Sequence, residues 1–339
     1  MQHIFEIDCE RKIPKYLQIV HSVTKSIKFG KLKKGDRILS INELSNEFFL
    51  SRDTVQKAYG VLEQDGIILP VKGKGFYINR TDIIKSYRIL LLFNKMSNYK
   101  KLVYNSFVLV MGNKVTVDLK IYNSNTSLFE HFINTHLGEY DFYVIMPHFY
   151  EHVDKAYSAI NKIPFHQLVV IDKKPEYLQP GCAAVYQDFK SDITDALESG
   201  LDLIKKYKKL TLVFPKAVPY PKEIELGFRI FCQQHNVNYA VISEISPWQE
   251  INAGEAFIVI EEMDLVNLIK KSRLLNLKIG EDVGIISYNE TPLKEILLEG
   301  ITVISTDHEK MGETAARLIL QNSKEKIKNP FSLIRRKSL

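Results

Sequence analysis

Four side chains gather donors and charge at the start of the run SRDTVQKAYGVLEQ: Ser51, Arg52, Thr54 and Lys57. In the same run Val55, Ala58, Tyr59 and Leu62 fall at i, i+3, i+4 and i+7, the spacing of one buried helical stripe. A helix built this way is anchored by its apolar side and carries an open cationic amino end. Such an end meets base edges when a helix enters a DNA major groove, where Arg pairs with guanine and Asn with adenine. A second set of residues lies downstream, after apolar runs: Asn94, His148, Asp172, Gln187, Asp188, Lys216, Tyr288, Asn289 and Glu290. Planar amides and carboxylates beside aromatic faces suit a sugar, whose hydroxyls take directed hydrogen bonds and whose C–H face takes a ring.

The elements around the first set follow from local signals. Ser51 caps its helix and Asp65-Gly66 ends it. Pro14 starts an earlier helix with Tyr16, Leu17, Val20, Val23 and Ile27 on one face, and Gly30 stops it. After a loop, KLKKGDRI, the pattern Ser40-Ile-Asn-Glu43 is a capping box that opens a short helix through Leu44 and Phe48. Only Phe49 and Leu50 separate it from the Ser51 helix, which makes a helix-turn-helix. Ile67–Val71 and Phe76–Ile78 then read as two strands around Lys72, Gly73 and Lys74. A wing with that tip can bring two lysines and a backbone amide to phosphate or the minor groove.

Length and charge agree with this division. The 339 residues suffice for roughly two domains of about 100–200 residues each. Of the net charge of +6, residues 1–80 hold +5, with 14 Lys/Arg against 9 Asp/Glu. A basic head on a near-neutral body fits a polyanion-binding module joined to a part with another task. Cys9, Cys182 and Cys232 are odd in number and form no CxxC pair, so neither a disulfide framework nor a zinc site is expected. No run is an apolar signal segment or approaches the ~20 residues of a membrane span, and a cytoplasmic location is expected.

After a polar linker at 79–87, apolar runs alternate with helical patterns. Strands are expected at 88–93, 115–122, 141–146, 167–171, 210–214, 238–242, 256–260, 283–287 and 301–304. Helices are expected at 98–111, 127–137, 153–160, 191–206, 222–235, 264–275 and 309–321. This order specifies α/β architecture with parallel sheets, helices on both faces and two lobes over 88–339. Ligands of such sheets lie beyond the carboxyl ends of the strands.

The stretches IPKYLQI, GKLKKGDRILSINELS, SRDTVQKAYGVLEQDGII and KGKGFYI together resemble the winged helix-turn-helix of GntR-family transcription regulators, over residues 14–78. The resemblance implies that Ser51, Arg52, Thr54 and Lys57 face operator DNA, with Lys72, Gly73 and Lys74 from the wing. It also brings in Ser40 and Asn42. The family commonly reads Leu-Pro-Ser-x-Arg-x-Leu there, and Asn42 stands in place of the Arg, which shifts the expected base preference toward adenine. The body resembles the effector domain of LacI-type repressors, with the periplasmic-binding-protein-like fold, through IPFHQLVVID, GEDVGIISYNETP and ITVISTDHEKMGETAARLIL. That resemblance favours Asp188, Tyr288, Asn289 and Glu290 as effector contacts. Relatives often carry an Arg three residues before the Gly-Phe of the second lobe's long helix. Here that residue is Ile224, which leaves Lys216 or Arg229 as substitutes. The combination is similar to Bacteroidetes regulators of monosaccharide operons, such as those for L-fucose or L-arabinose. It implies a dimeric repressor on double-stranded operator DNA, controlled by a small sugar or sugar phosphate, with no cofactor and no metal.

Other constellations are sparse. His148 and His152 are four apart without a third metal ligand in sequence reach. No GxGxxG follows the first strand of the body, and GxSxG and GxxxxGK[ST] are missing. The competing expectations are a sugar- or nucleotide-converting α/β enzyme with an accessory basic head, and a protein-docking module.

Overall fold

Pro14, with φ −52°, sets the entry to the first helix, α1 (Lys15–Lys28). The structure, a computed structural model, describes residues 4–8, 13–82, 87–112, 115–174, 181–216 and 220–339. After α1 come β1 (Arg37–Ile38), α2 (Ile41–Glu47), α3 (Arg52–Gln64), β2 (Ile68–Val71) and β3 (Gly75–Ile78). The helices close over Ile19, Val23, Leu44, Val55, Ala58, Tyr59 and Leu62, all buried. The three strands run β1-β3-β2, with both pairings antiparallel. The KLKKGDRI stretch, expected as a loop, thus yields a third strand: Arg37 pairs with Tyr77 and Ile38 with Phe76. Two residues are too few to show alternation, so periodicity had nothing to detect.

The chain divides into two compact units at the Tyr87–Arg88 boundary, with residues 115–116 clustering with the first. Positions 83–86 of the expected 79–87 linker lie outside the described residues.

The first lobe of the body is built from β4 (Tyr87–Phe93), α4 (Asn98–Met111), β5 (Val115–Ile121), α5 (Thr126–His136), β6 (Phe142–Ile145), α6 (Val153–Ile160), β7 (Leu168–Lys173) and β8 (Ala183–Gln187). The chain then passes to a second lobe. There lie α7 (Phe189–Ser199), α8 (Leu201–Ile204), β9 (Lys209–Val213), α9 (Lys222–Gln234), β10 (Tyr239–Ile242), β11 (Glu255–Val259), α10 (Glu262–Leu274), β12 (Val283–Tyr288), α11 (Pro292–Ile296) and β13 (Thr302–Thr306). It returns through α12 (His308–Leu320), which packs on α4, and β14 (Lys326–Lys328), which pairs with β8. It crosses once more to β15 (Phe331–Ile334).

Each lobe holds a six-stranded sheet, in the orders β14-β8-β7-β6-β4-β5 and β10-β9-β11-β12-β13-β15. Strands such as β6 and β12 are buried at every residue, as expected of strands covered on both faces. The second sheet is not wholly parallel, because β15 pairs antiparallel with β13. The helix expected over 191–206 is two helices broken at Gly200, where a Cβ would come within 2.8 Å of Leu333 on β15.

The chain therefore passes between the lobes at Asp188, at Asp307 and at Asn329–Pro330. Asn329, 2% exposed, ties the last two passages together. Its Nδ2 donates to Thr306 Oγ1 (2.8 Å) and to the Asp307 carbonyl (2.8 Å). The Asp307 amide donates to the Pro330 carbonyl at 2.9 Å. Lys328 reaches the buried Asp192 carboxylate of α7 at 2.9 Å.

Two glycines allow helices to approach at backbone distance. A Cβ at Gly312 of α12 would lie 2.2 Å from the Val103 carbonyl of α4, and one at Gly227 of α9 would lie 2.3 Å from the Lys190 carbonyl of α7. Backbone cannot move aside as a side-chain tip can. Gly312→Ala and Gly227→Ala are each expected to cost about 1–3 kcal/mol by forced overpacking. Urea denaturation of the two variants checks this, and an unchanged midpoint in both would refute the close approach.

Candidate effector cleft and nucleic-acid interface

In the head, Ser51 caps α3 by accepting from the Thr54 amide at 3.2 Å, and its hydroxyl meets Thr54 Oγ1 at 2.7 Å. Ser40 caps α2 in a complete capping box: its Oγ accepts from the Glu43 amide at 3.3 Å, and Glu43 Oε2 accepts from the Ser40 amide at 2.6 Å. Arg37 adds an ion pair to Glu43 at 3.2 Å. Hydrogen bonds from Ser40 lead the causes that hold the Glu43 carboxyl below its ordinary range. Tyr59 fixes α3 beneath, its hydroxyl donating to the Leu39 carbonyl. On the outer side Asn42, Ser51, Arg52, Lys57, Lys72, Gly73 and Lys74 are exposed, while Ser40 and Thr54 are half-buried. Lys57 is already engaged, its Nζ lying 4.2 Å from the centre of the Tyr16 ring. Arg52, exposed, is the first residue of α3.

In the body, a cleft of about 470 Å³ lies between the lobes. The carboxyl ends of β4, β6, β7 and β8 bring Asn94, His148, Asp172 and Gln187–Asp188 to one wall. The end of β12 and the start of α9 bring Tyr288–Asn289 and Tyr220–Ile224 to the other. This is where an open α/β sheet leaves its crevice. Of the residues expected from sequence, Asn94, His148, Asp172, Gln187, Asp188, Tyr288 and Asn289 line the cleft. Lys216 and Glu290 do not. Lys216 is exposed beyond β9. Glu290 is turned away, its carboxylate bound by Arg336 at 2.6 Å. Arg229, the other proposed substitute for the missing arginine, pairs with Glu225 on its own helix at 2.7 Å.

Asp172 is the centre of the first wall. One oxygen meets His148 Nε2 at 2.7 Å and the other accepts from Gln187 Nε2. Its side chain is 15% exposed. Burial alone would raise its pKa, but the hydrogen bond and charge of His148, the field of Lys100 and the Gln187 bond outweigh that and hold the carboxyl well below the usual range. Lys100 lies behind it, 3% exposed, donating to Asn94 Oδ1, while Asn94 Nδ2 donates to Ser124 Oγ at 3.3 Å. Burial pushes the Lys100 ammonium down to about 8, although the Asp172 carboxylate opposes this.

On the second wall Lys294, also buried, donates to the carbonyls of Tyr288 (2.9 Å) and Asn289 (2.7 Å), and burial pushes it down to about 8. Asp172 and Asn289 both have left-handed backbone, φ 77° and φ 61°. Asn and Asp are the non-glycine residues that enter this region most readily. Here the Asp172 carboxylate bonds and the Lys294 contacts to the carbonyls of Tyr288 and Asn289 hold the two strand ends in place.

Aromatic faces complete the lining: Tyr99, Phe149, Phe189, Tyr220 and Tyr288. Tyr220 donates to Glu261 at 2.6 Å. The Tyr99 ring packs on His308, with centroids 4.8 Å apart. Tyr99, Lys100, Tyr220 and His308 were missed by strand-end reasoning because all four belong to helices or to a loop before one. Lys100 had a signal: it falls on the stripe that Val103, Phe107 and Met111 continue, a charge on a buried helical face. Among the described residues no three His, Cys, Asp or Glu side chains converge as metal ligands, and no helix is long and apolar enough to cross a membrane.

His308 gives a pH signature. Burial leads the causes that push it down to about 4 from an ordinary 6.5. The unfolded chain then binds more protons than the folded one between those values, so stability falls as pH drops from 6.5 toward 4. Between pH 6.5 and 5 the loss from this residue is about 2 kcal/mol. His308→Gln should flatten that part of the stability curve, measured by urea denaturation at pH 7.5, 6 and 5. An identical slope in wild type and variant would contradict it.

Known proteins give two independent matches. Residues 15–78 match the family model for bacterial regulatory proteins, gntR family, and residues 203–339 match that for a periplasmic binding protein-like domain. The arabinose metabolism transcriptional repressor of Geobacillus stearothermophilus is 37% identical over 71 residues, 21% of this chain and 20% of the relative. The transcriptional repressor YtrA of Bacillus subtilis is 36% identical over 76 residues, 22% of this chain and 58% of the relative. The chain thus spans only a fifth to just over half of the length of these curated relatives. Among solved structures, the trehalose repressor from Escherichia coli aligns with TM-score 0.59 at 13% identity, over 74% of this chain and all of that one. A LacI family regulator from Lactobacillus casei with bound glucose aligns with TM-score 0.56 at 13% identity, over 74% and 99%. At such identity the likeness is one of fold. The chain joins a gntR-type winged helix-turn-helix to a two-lobed body of the periplasmic-binding-protein-like, LacI-type fold.

Proposed function

We propose that this chain is a transcription regulator, acting as a repressor, whose head grips operator DNA and whose body senses a small carbohydrate. The observation that carries this reading is the cleft: polar groups from the strand ends of both lobes face one another across aromatic rings, on a body joined to a DNA-binding head. A ligand touching both walls stabilises the closed arrangement over the open one, and so shifts the equilibrium between them. In a homodimer that shift changes the separation of two heads, which must meet half-sites about 34–36 Å apart or a multiple of it. The named repressors of arabinose metabolism and trehalose, and the glucose-bound neighbour, support a carbohydrate effector. A monosaccharide of the L-arabinose or L-fucose kind is the first candidate. Asn94, His148, Asp172, Gln187, Asp188, Tyr288 and Asn289 are its proposed contacts.

On DNA, Arg52 reads a base edge, Asn42 and Thr54 lie beside it, and Lys72, Gly73 and Lys74 hold phosphate. Lys57 joins them by leaving the Tyr16 ring. Arg52→Ala should cost about 1–3 kcal/mol with specificity relaxed at one base pair, whereas Lys72→Ala should weaken all sequences alike and reduce the salt slope by about 1. Gel shifts on DNA from upstream of the gene, at several salt concentrations, separate the two. Equal effects of both variants on specific and random DNA would defeat the assignment of Arg52. In the same way, Asn289→Ala should weaken sugar binding by calorimetry and leave sugar-free DNA binding unchanged. Normal sugar affinity in that variant would remove Asn289 from the contacts.

A further inference from the structure

Two buried polar atoms of residues that line the cleft have no hydrogen-bond partner among the described residues: Tyr288 Oη and Gln187 Oε1. Tyr288 is 4% exposed and Gln187 is 7% exposed. They belong to opposite walls, Gln187 at the end of β8 and Tyr288 at the end of β12. The Gln187 amide has a fixed sense. Its Nε2 donates to the Asp172 carboxylate, which only accepts, so the carbonyl oxygen is the end left open. The neighbours are satisfied: Asn94 is held between Lys100 and Ser124, and Asp172 between His148 and Gln187. A buried acceptor and a buried hydroxyl left unpaired both cost the ligand-free protein stability.

We propose that Gln187 Oε1 and Tyr288 Oη are the specificity pair of the cleft, and that they select an uncharged, hydroxyl-bearing face of the ligand. This rests on the carbohydrate reading above and narrows it. Gln187 Oε1 demands a donor, which a sugar hydroxyl supplies and a carboxylate or fully ionised phosphate does not. The Tyr288 hydroxyl donates to a sugar oxygen from the facing lobe. The ionised Asp172 next to Gln187 repels an anion at the same place. A phosphorylated or acidic sugar would have to present its charge to the other lysines of the lining, Lys95, Lys173, Lys174 and Lys222. The pair therefore reads hydroxyl pattern, and it lies on both lobes, so the selected ligand is one that draws them together.

The test uses the full chain. Thermal shift and calorimetry are run against L-arabinose, L-fucose and other neutral aldopentoses and aldohexoses, with uronates and sugar phosphates beside them. Tyr288→Phe should melt at or above the wild-type temperature without ligand, because it removes a buried orphan, yet bind the best neutral sugar about tenfold or more weaker. That opposite sign separates a binding role from a structural one. One monodeoxy derivative of the sugar should lose a similar factor against wild type and little further against Tyr288→Phe or Gln187→Met. The proposal is overturned if Tyr288→Phe binds the sugar as wild type does. It is also overturned if the tightest ligand is a uronate or phosphate whose affinity neither variant changes, and in that case the carbohydrate reading stands. Absence of binding by every member of the panel defeats the carbohydrate reading and the pair with it.

Discussion

The cleft depends on keeping Asp172 ionised while largely out of water. An unpaired carboxylate in that position would take up a proton. Here His148 and Gln187 each hold one oxygen, and the Lys100 ammonium lies behind. Each partner is oriented in return. Gln187 gives its amide nitrogen to Asp172 and so leaves its carbonyl unpaired, and Lys100 fixes the Asn94 amide, which reaches Ser124. Loss of the one charge would therefore release the side chains at the ends of four strands. The facing wall is organised by a second buried cation, since Lys294 holds the carbonyls of Tyr288 and Asn289.

Much of this was legible in the residues, and the limits have physical causes. The head reads cleanly because its signals are local: a capping box at Ser40–Glu43, a cap at Ser51, a stripe from Val55 to Leu62, and Gly66 at positive φ after the helix. The body's long apolar strands also announce themselves. The short strands β1, β14 and β15 do not, because two to four residues carry no period and their pairing comes from residues far away in the chain. At the cleft, strand ends such as Asn94 and Asp172 can be found by position alone. Glu290 shows the weakness of that approach. It sits one residue beyond Asn289, yet its carboxylate answers to Arg336, 46 residues on. Helix-borne lining such as Lys100, Tyr99 and His308 depends on how α4 and α12 are set against the sheet, which no local pattern states.

The two units put different physics at their working surfaces. The head presents solvated side chains on a helix, and in the proposed reading its lysines act through charge while Arg52 reads a base edge. The cleft presents buried groups whose donors and acceptors are nearly all matched, and the proposed selectivity rests on the few left unpaired. A salt change acts on the first far more than on the second, because screening is weak for buried pairs.

The close approach of α12 to α4 at Gly312 has a mechanical consequence. Sliding one packed helix along another needs side chains that can exchange rotamers at the contact, and here the contact is made at backbone distance. Gly227 imposes the same rigidity between α7 and α9. Shear between α4 and α12, or between α7 and α9, is thereby resisted. A change in the mutual angle of the lobes then falls more heavily on the backbone torsions at Asp188, Asp307 and Asn329–Pro330. Asn329 couples the last two of these, so the joint bends with fewer independent torsions than three separate passages would give it.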